Sequence, residues 1–334
     1  MKVLHSRYAE VTYACVISTL AVFAAYAGGC SSDSGGEPVD AGTDRGSIVP
    51  LPDASGPCDL TKPFGAPILL DGVNLPATES GTLSPDELTF YSMSKSSGRW
   101  HIYAATRQSL DGAFGPPKLF EGIRPSGELP EDFDPFLSFD GNQFFFSSIR
   151  EGAGTPGDFD IMVATRPSPG APFDPPIGIG TINTATGVER SPVPNANNSV
   201  LYFSGMVPNN TAPSRVYKSV RTGAEFGSPE VIDLGATTGD GSPVLDQSDL
   251  TMFFGSSRTG SQQGDVWVAK RQNVTGKFTG STNAADVAAL NSDSNDTPRW
   301  LSVDGCRIYL ASDRPVPNDA GTGRFNMYVA TRPK

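Results

Sequence analysis

Five repeats occupy the sequence from about residue 63 to its end. Each repeat has a short apolar strand that ends in arginine, and the five arginines are Arg107, Arg166, Arg221, Arg271 and Arg332. In the second repeat the motifs DPFLSFDG, NQFFFSS, DIMVATR and APFDPPIGI follow one another and predict four strands. A period of about 50–60 residues with four strands per unit is typical of propeller blades.

Composition argues against a helical alternative. The chain of 334 residues contains 37 glycines and 29 prolines, both of which destabilise helix interiors. Its 19 phenylalanines and 9 tyrosines supply the apolar bulk that a folded core needs. We therefore predict an all-β fold, a five-bladed β-propeller of four-stranded antiparallel blades.

The two ends of the repeat region predict how the ring closes. The fifth repeat stops at Lys334, just after its arginine strand, and so lacks a fourth strand. The missing motif stands before the first complete repeat as PFGAPILL, at residues 63–70. We expect this N-terminal strand to complete the last blade, because an open blade edge invites unwanted pairing. The predicted propeller domain spans residues 63–334.

The repeat motifs resemble those of a known family. DPFLSFDGNQFFFSSIR with DFDIMVATR is the clearest copy, and SPVLDQSDLTMFFGSSR with GDVWVAKR is a second one. Both are similar to the WD40-like β-propeller repeat of the TolB type. The third repeat departs from the pattern, with Asn197 at the turn and Gly205 after Phe-Ser. The resemblance implies the fold more than the function, because propellers host many unrelated activities.

The first 29 residues predict an export signal. Lys2 and Arg7 precede the apolar core VTYACVISTLAVFAAYA, which is short for a membrane span. The segment ends in Ala-Gly-Gly-Cys, which resembles a bacterial lipoprotein signal cut before a lipid-bearing cysteine, here Cys30. An ordinary secretory signal or a short membrane anchor is the alternative.

Residues 30–62 predict a disordered tether. Gly, Ser, Asp and Pro dominate this stretch, and it holds too few large apolar residues to form a core. Similar tethers are common after the lipidated cysteine of myxobacterial lipoproteins. We therefore expect a lipid-anchored outer-membrane protein that faces the periplasm or the cell surface.

The four cysteines have separate expected fates. Cys15 would leave with the signal and Cys30 would carry the lipid, which leaves Cys58 and Cys306. An oxidising periplasm favours a disulfide between these two, which would lock the ring closure. Two free thiols are the alternative.

Acidic residues near the start of the first strand of each repeat form a candidate ligand site. They are Glu79, Asp132, Glu189, Asp240 and Asp296. Innermost strands line the channel of a propeller, so these carboxylates would meet at one channel mouth and attract a cation or a basic ligand. Ca²⁺ is a candidate, although the sequence assigns no metal ligands and predicts no cofactor. The alternative is that each acid caps backbone groups or pairs with an arginine of the next blade.

Other recurring polar residues have structural interpretations. The turn residues Asp86, Asp140, Asn197, Asp249 and Asp304 are expected to bond their own turns. The arginines that end the third strands recur in every repeat and are expected to organise the blades. Arg150 and Arg258 are expected to pair with Asp160 and Asp265 across a hairpin.

Charge and motif content exclude several classes of function. The net charge of −11 disfavours nucleic acid as a partner, because nucleic acid requires a basic surface. Only His5 and His101 are present, and His5 lies in the signal, which leaves little support for Ser-His-acid catalysis or a multi-histidine metal site. No phosphate-binding GxxxxGK[ST] loop occurs.

Two functional hypotheses remain open. The first is a membrane-tethered, non-catalytic binding or scaffold module that presents a loop-rich face to a protein, peptide or cell-envelope partner. The second is a glycoside hydrolase of the five-bladed arabinanase type, in which the central carboxylates act as acid and base. The sequence leaves the oligomeric state undetermined.

Overall fold

The computed structural model describes residues 57–75, 78–95, 98–124, 130–150, 158–207, 213–235, 239–261, 263–316 and 324–334. All of them belong to one compact unit, Pro50–Lys334. The signal peptide, the lipidation site Cys30 and most of the tether lie outside the described residues, so those assignments stay predictions. Within the described residues, no helix has both the length and the apolar character needed to cross a membrane.

The described chain forms five antiparallel sheets, which confirms the all-β, five-bladed prediction. The innermost strands are β2 (Thr78–Leu83), β6 (Asp132–Leu137), β10 (Val188–Pro194), β15 (Asp240–Leu245) and β19 (Asp296–Leu301). The second strands are β3 (Thr89–Ser94), β7 (Gln143–Ser148), β11 (Val200–Met206), β16 (Thr251–Ser256) and β20 (Arg307–Ser312). The third strands are β4 (His101–Thr106), β8 (Asp160–Thr165), β12 (Arg215–Thr222), β17 (Asp265–Lys270) and β21 (Asn326–Thr331).

The outermost strands are short. They are β5 (Lys118–Leu119), β9 (Ile177–Gly178), β14 (Glu230–Val231), β18 (Thr279–Thr282) and β1 (Ile68–Leu69). In blade 3 the extra strand β13 (Glu225–Phe226) also pairs with β12. Two 3₁₀ turns, Glu121–Ile123 and Ala285–Leu290, lie between blades in the sequence.

The N-terminal strand closes the ring, as predicted. β1 pairs antiparallel with β21, with Ile68 opposite Val329 and Leu69 opposite Tyr328. Each innermost strand contacts the innermost strands of both neighbouring blades, and β19 contacts β2. A disulfide joins Cys58 to Cys306, with Cα atoms 5.7 Å apart, and so ties the closing segment to blade 5.

The arginines that end the third strands are structural in all five blades. Each Nε donates to a carbonyl of the turn between the first two strands, at Glu87, Gly141, Asn198, Asp249 and Gly305. Each guanidinium also lies over a phenylalanine ring, namely Phe114, Phe173, Phe226, Phe278 and Phe64. Arginine fits because its planar group can stack and donate at once.

Apolar side chains from neighbouring blades meet in the core. Tyr91 and Ile102 of blade 1 pack with Phe144 and Met162 of blade 2, and the rings of Tyr91 and Phe144 are 5.1 Å apart. Fully burying a side chain of this size contributes roughly 1.5–3 kcal/mol. Apolar packing between neighbouring blades therefore helps to hold the ring together and to keep the innermost strands in place.

Candidate functional site

Four of the five predicted acids occupy one structural position. Asp132, Asp240 and Asp296 begin their innermost strands and pair with a serine of the second strand, and Glu189 pairs with Gly205. In blade 1 the same position holds Thr78, opposite Ser94, and Glu79 is the next residue. The acidic ring predicted from the sequence is therefore interrupted at blade 1.

Arginines hold three of these acids. Arg150 Nη2 donates to both carboxylate oxygens of Asp132 at 2.7 Å, and Arg258 Nη2 does the same to Asp240. Arg314 Nη2 donates to Asp296 at 2.5 Å. These arginines belong to Ser-x-Arg motifs, and each Nε donates to the serine of its motif, at Ser148, Ser256 and Ser312.

The partners of two arginines differ from the sequence prediction. Arg150 and Arg258 pair with Asp132 and Asp240, not with Asp160 and Asp265. The second strand has acids on both sides, because Ser148 lies opposite both Asp132 and Asp160. Both acids are buried, and the arginine turns toward the one on the innermost strand.

Burial affects the protonation of Asp132. Asp132 is buried, and desolvation raises the pKa of its carboxyl, although the charge and hydrogen bonds of Arg150 and a hydrogen bond from Ser148 lower it. Ser256 and Arg258 both donate to Asp240, and Ser292 and Arg314 both donate to Asp296. The three carboxylates have partners within the protein.

Glu189 is the exception in this ring. Blade 3 has Gly205 and Val207 where the other motifs have serine and arginine. The carboxyl accepts a hydrogen bond from Thr184 Oγ1 at 2.7 Å, while its other oxygen, Oε2, is buried without a hydrogen-bond partner among the described residues. Desolvation is the main cause that raises the pKa of Glu189 to about 7, and the charges of Asp160 and Asp158 add to it.

A second group of charges lies in the central channel, and the sequence analysis did not predict its arginines, Arg190 and Arg299. Asp134 accepts from Arg190 Nε at 2.8 Å and lies 3.9 Å from Arg299 Nη1. Burial raises the pKa of Glu79, while Arg299 and Arg190 lower it. Asp134 has a left-handed φ of 46° before Pro135, which places its side chain within the strand irregularity of β6.

The described part of the channel is narrow. A cavity of about 20 Å³ is lined by residues from all five innermost strands, including Ser80, Asp134, Ser191, Ser242 and Arg299. A cavity of this size holds roughly one water molecule. The channel charges therefore bind one another across a space with little room for a ligand.

At the opposite end of the innermost strands, acids join neighbouring blades. Glu87 accepts from Arg307 Nε at 2.8 Å and from Tyr309 Oη at 2.7 Å. Asp249 accepts from Tyr202 Oη at 2.9 Å. Asp249 thus differs from the prediction that it bonds its own turn.

The other turn predictions agree with the structure. Side chains of Asp86, Asp140, Asn197 and Asp304 accept backbone N–H groups of their turns. In the fourth turn Asp246 has this role, accepting from the backbone N–H of Leu250.

The described residues contain no group of three or more His, Cys, Asp or Glu side chains arranged to hold a metal ion. Glu79 is not beside the other acids in a common ring, and three of the remaining four are engaged by arginines. A Ca²⁺ site at the channel mouth stays a prediction without a preformed ligand set in the described part of the chain.

Comparison with known proteins supports the fold. No family model matches the chain, and no curated protein matches its sequence significantly. Among solved structures, a thermostable family-43 glycoside hydrolase aligns with 12% identity and a TM-score of 0.52, covering 79% of this chain and 91% of that chain. At this identity the similarity shows the fold alone.

Two TolB structures also align. TolB from Acinetobacter baumannii shares 15% identity over 75% of this chain, with a TM-score of 0.40. The chain spans 54% of the length of that protein. The putative TolB from Agrobacterium tumefaciens shares 15% identity over 77% of this chain and 90% of its own, with a TM-score of 0.46.

Proposed function

We propose that the protein is a non-catalytic binding or scaffold module, tethered to the outer membrane by lipid on Cys30. Its partner would be a protein or peptide of the cell envelope. The observation that carries this proposal is the pairing of Asp132, Asp240 and Asp296 with arginines of their own blades. Acids engaged in this way organise the blades and are not available as an acid and base for catalysis.

The channel geometry supports the same proposal. Glycoside hydrolysis needs two carboxyl groups at a defined separation, with room between them for the sugar and, in inverting enzymes, for a water. The described channel cavity of about 20 Å³ is far smaller than the roughly 300–1,000 Å³ of typical ligand pockets. A ligand would therefore bind on the outer surface of the propeller.

The end of the propeller that carries the acids is the proposed binding face. Strands β7 and β8 meet there at Ser148 and Asp160, and β16 and β17 meet there at Ser256 and Asp265. The described ends of the second strands and starts of the third strands therefore lie at this end, and the sequence between them includes the polar stretches 151–159, 207–214 and 315–325. With a net charge of −11, the protein favours a basic partner.

Site-specific photo-crosslinking in cells tests the binding face. Ser257 is exposed at the proposed face, and Val303 is 44% exposed in a turn at the opposite end. A photoreactive residue at Ser257 should give a discrete crosslinked species that the same residue at Val303 does not give. Equal labelling from both positions, or none from Ser257, would contradict the proposed face.

The tether and the enzymatic alternative have separate tests. Cys30→Ala should move the protein from the membrane fraction to the soluble or unprocessed fraction, and unchanged fractionation would refute the lipid anchor. The alternative predicted from the sequence is that this chain cleaves an arabinan-type polysaccharide with its central carboxylates. Sugar release by the purified protein, lost in Asp132→Asn, would replace the binding proposal.

A further inference from the structure

We call the contact between two neighbouring blades a seam. In each described seam, the start of an innermost strand lies beside the start of the third strand of the preceding blade. The backbone N–H of Glu189 donates to the carbonyl of Phe159 at 2.8 Å. In the seam between blades 4 and 5, the backbone N–H of Asp296 donates to the carbonyl of Gly264 at 2.6 Å. Asp160 and Asp265 follow those carbonyls directly in sequence, so each of these two seams brings two acids together.

The two acidic seams differ in their positive charge. Between blades 4 and 5, Arg314 contacts Asp296, and Asn283 Nδ2 donates to Asp265 at 3.0 Å. Between blades 2 and 3, Val207 stands at the position of that arginine. Glu189 Oε2 and Asp160 Oδ1 are both buried and lack hydrogen-bond partners among the described residues.

The groups that face this pair do not supply a cation in direct contact. Thr184 donates to Glu189 from the connection before β10, and Asp158 adds a negative charge from the segment before β8. Burial raises the pKa of the Tyr217 hydroxyl on β12, and Tyr217 is near enough for the charge of Glu189 to raise that pKa further and the charge of Arg215 to lower it. The hydroxyl donates its hydrogen bond to the Val207 carbonyl and not to either carboxyl. Two cationic groups lie near the pair, Arg215 at the start of β12 and Arg190 next to Glu189. Arg190 Nε donates to Asp134, and its guanidinium lies over the ring of Phe159.

Burial decides what can neutralise the pair. Glu189 is 0% exposed and Asp160 is 1% exposed, so neither presents an open site for a metal ion or a basic side chain of a partner. A buried carboxyl without a counterion takes up a proton instead of bearing its charge. A proton needs no open pocket, since a brief local opening of the seam suffices to exchange it.

We propose that the seam between blades 2 and 3 is a pH-sensitive joint, in which protonation of the Glu189 and Asp160 carboxyls takes the place of the arginine that neutralises the corresponding acid in blades 2, 4 and 5. Loss of those protons leaves two negative charges buried in one interface. The seam then opens more often, while the seams whose first-strand acids are neutralised by Arg150, Arg258 and Arg314 stay closed. This inference is independent of the proposed binding function.

The direction of the effect follows from linkage. Burial raises the pKa of Asp160 to about 6 and that of Glu189 to about 7, whereas the unfolded values are 3.8 and 4.5. The stabilisation is therefore complete below about pH 4 and is lost as pH rises through 6 and 7. For each proton that the folded state retains and the unfolded state does not, the folded-to-unfolded ratio falls by up to about tenfold per pH unit.

Amide hydrogen exchange at pH 5 and pH 8 tests the joint directly. After correction for the intrinsic rate, the Glu189 amide should lose at least about tenfold in protection at pH 8. The Asp296 amide is the internal control and should keep its protection. Equal protection of the Glu189 amide at the two pH values would overturn the proposal.

Variants distinguish a local effect at the seam between blades 2 and 3 from a general loss of stability caused by acidic residues. Glu189→Gln should remove the pH dependence of Glu189 protection, and Gly205→Ser with Val207→Arg should remove it by restoring the missing motif. Asp265→Asn is the matched control in the other acidic seam and should leave it unchanged. If Glu189→Gln does not fold, Asp160→Asn is the substitute, and it too should reduce the pH dependence of the protection of the Glu189 amide. Wild-type pH dependence in the folded variant refutes the inference.

Discussion

Arg332, in the last described segment, lies over the ring of Phe64, in the first, with its guanidinium carbon 3.9 Å from the ring centroid. This is the fifth copy of a contact that each of the other blades makes within one continuous stretch of sequence. In blade 5 the phenylalanine comes from the opposite end of the chain. The contact therefore contributes to closing the ring as well as to organising the blade.

Phe64→Ala should destabilise the whole propeller. Phe64 is 2% exposed and also packs edge-on against Phe253, with ring centroids 5.9 Å apart. Truncating a buried phenylalanine costs about 3–5 kcal/mol of unfolding free energy. Urea unfolding measures the loss. Leu69→Ala is the control in the same closing segment, because Leu69 is 39% exposed and should cost under about 1 kcal/mol.

Removing the disulfide should weaken the same closure. The bond links residues 248 apart in sequence, so it strongly restricts the unfolded chain. Cys58→Ser with Cys306→Ser should lower the unfolding free energy by about 2–4 kcal/mol. A reducing agent should lower wild-type stability similarly and leave the double variant unchanged. Identical urea midpoints for wild type and double variant would show that the bond adds no stability.

Much of the fold could be predicted because each blade repeats its own strand order. The motif PFGAPILL carries the Phe-Gly that follows the arginine in earlier repeats, so its placement in blade 5 follows from the pattern. Cys58 and Cys306 flank that same closure. Periodicity and the missing fourth strand were thus sufficient for blade number and ring closure.

The candidate site was harder to predict because it depends on register. Glu79 and Asp132 both stand near a strand start, but Thr78, not Glu79, takes the position of Asp132. A shift of one residue reverses the face on which a side chain lies. The channel residues Asp134, Arg190 and Arg299 occur in single blades, so the repeat pattern gave no signal for them.

Breaking the ion pair of blade 4 should cost far more than breaking an exposed pair. Arg258→Met leaves the buried carboxylate of Asp240 without its cation, which should cost about 3–5 kcal/mol. Adding Asp240→Asn should recover part of that loss. Lys270→Met disrupts the exposed pair with Asp286 and should cost under about 1 kcal/mol. Similar losses in both blade 4 variants would contradict this assignment.

Glu87 has a strained backbone, and we expect its ion pair with Arg307 to outweigh the cost of that strain. Its φ of 59° is left-handed, a conformation that Gly141 and Gly305 adopt at the same turn position in other blades. Glycine would remove a backbone cost of roughly 1–2 kcal/mol. However, it would also leave buried Arg307 without Glu87 and Tyr309 without its acceptor, and breaking a buried pair costs about 3–5 kcal/mol.

Glu87→Gly should therefore lower the unfolding free energy by about 1–4 kcal/mol, the difference between the loss of the pair and the relief of the turn. The matched control is Asn198→Gly, at the same turn position with φ 58°. Asn198 holds no buried ion pair, asparagine tolerates this conformation, and its amide donates to the exposed carboxylate of Asp140, so the unfolding free energy of this variant should change by less than about 1 kcal/mol. Urea unfolding measures both variants. A Glu87→Gly protein as stable as wild type would mean that the Glu87–Arg307 pair adds nothing to the closure between blades 5 and 1.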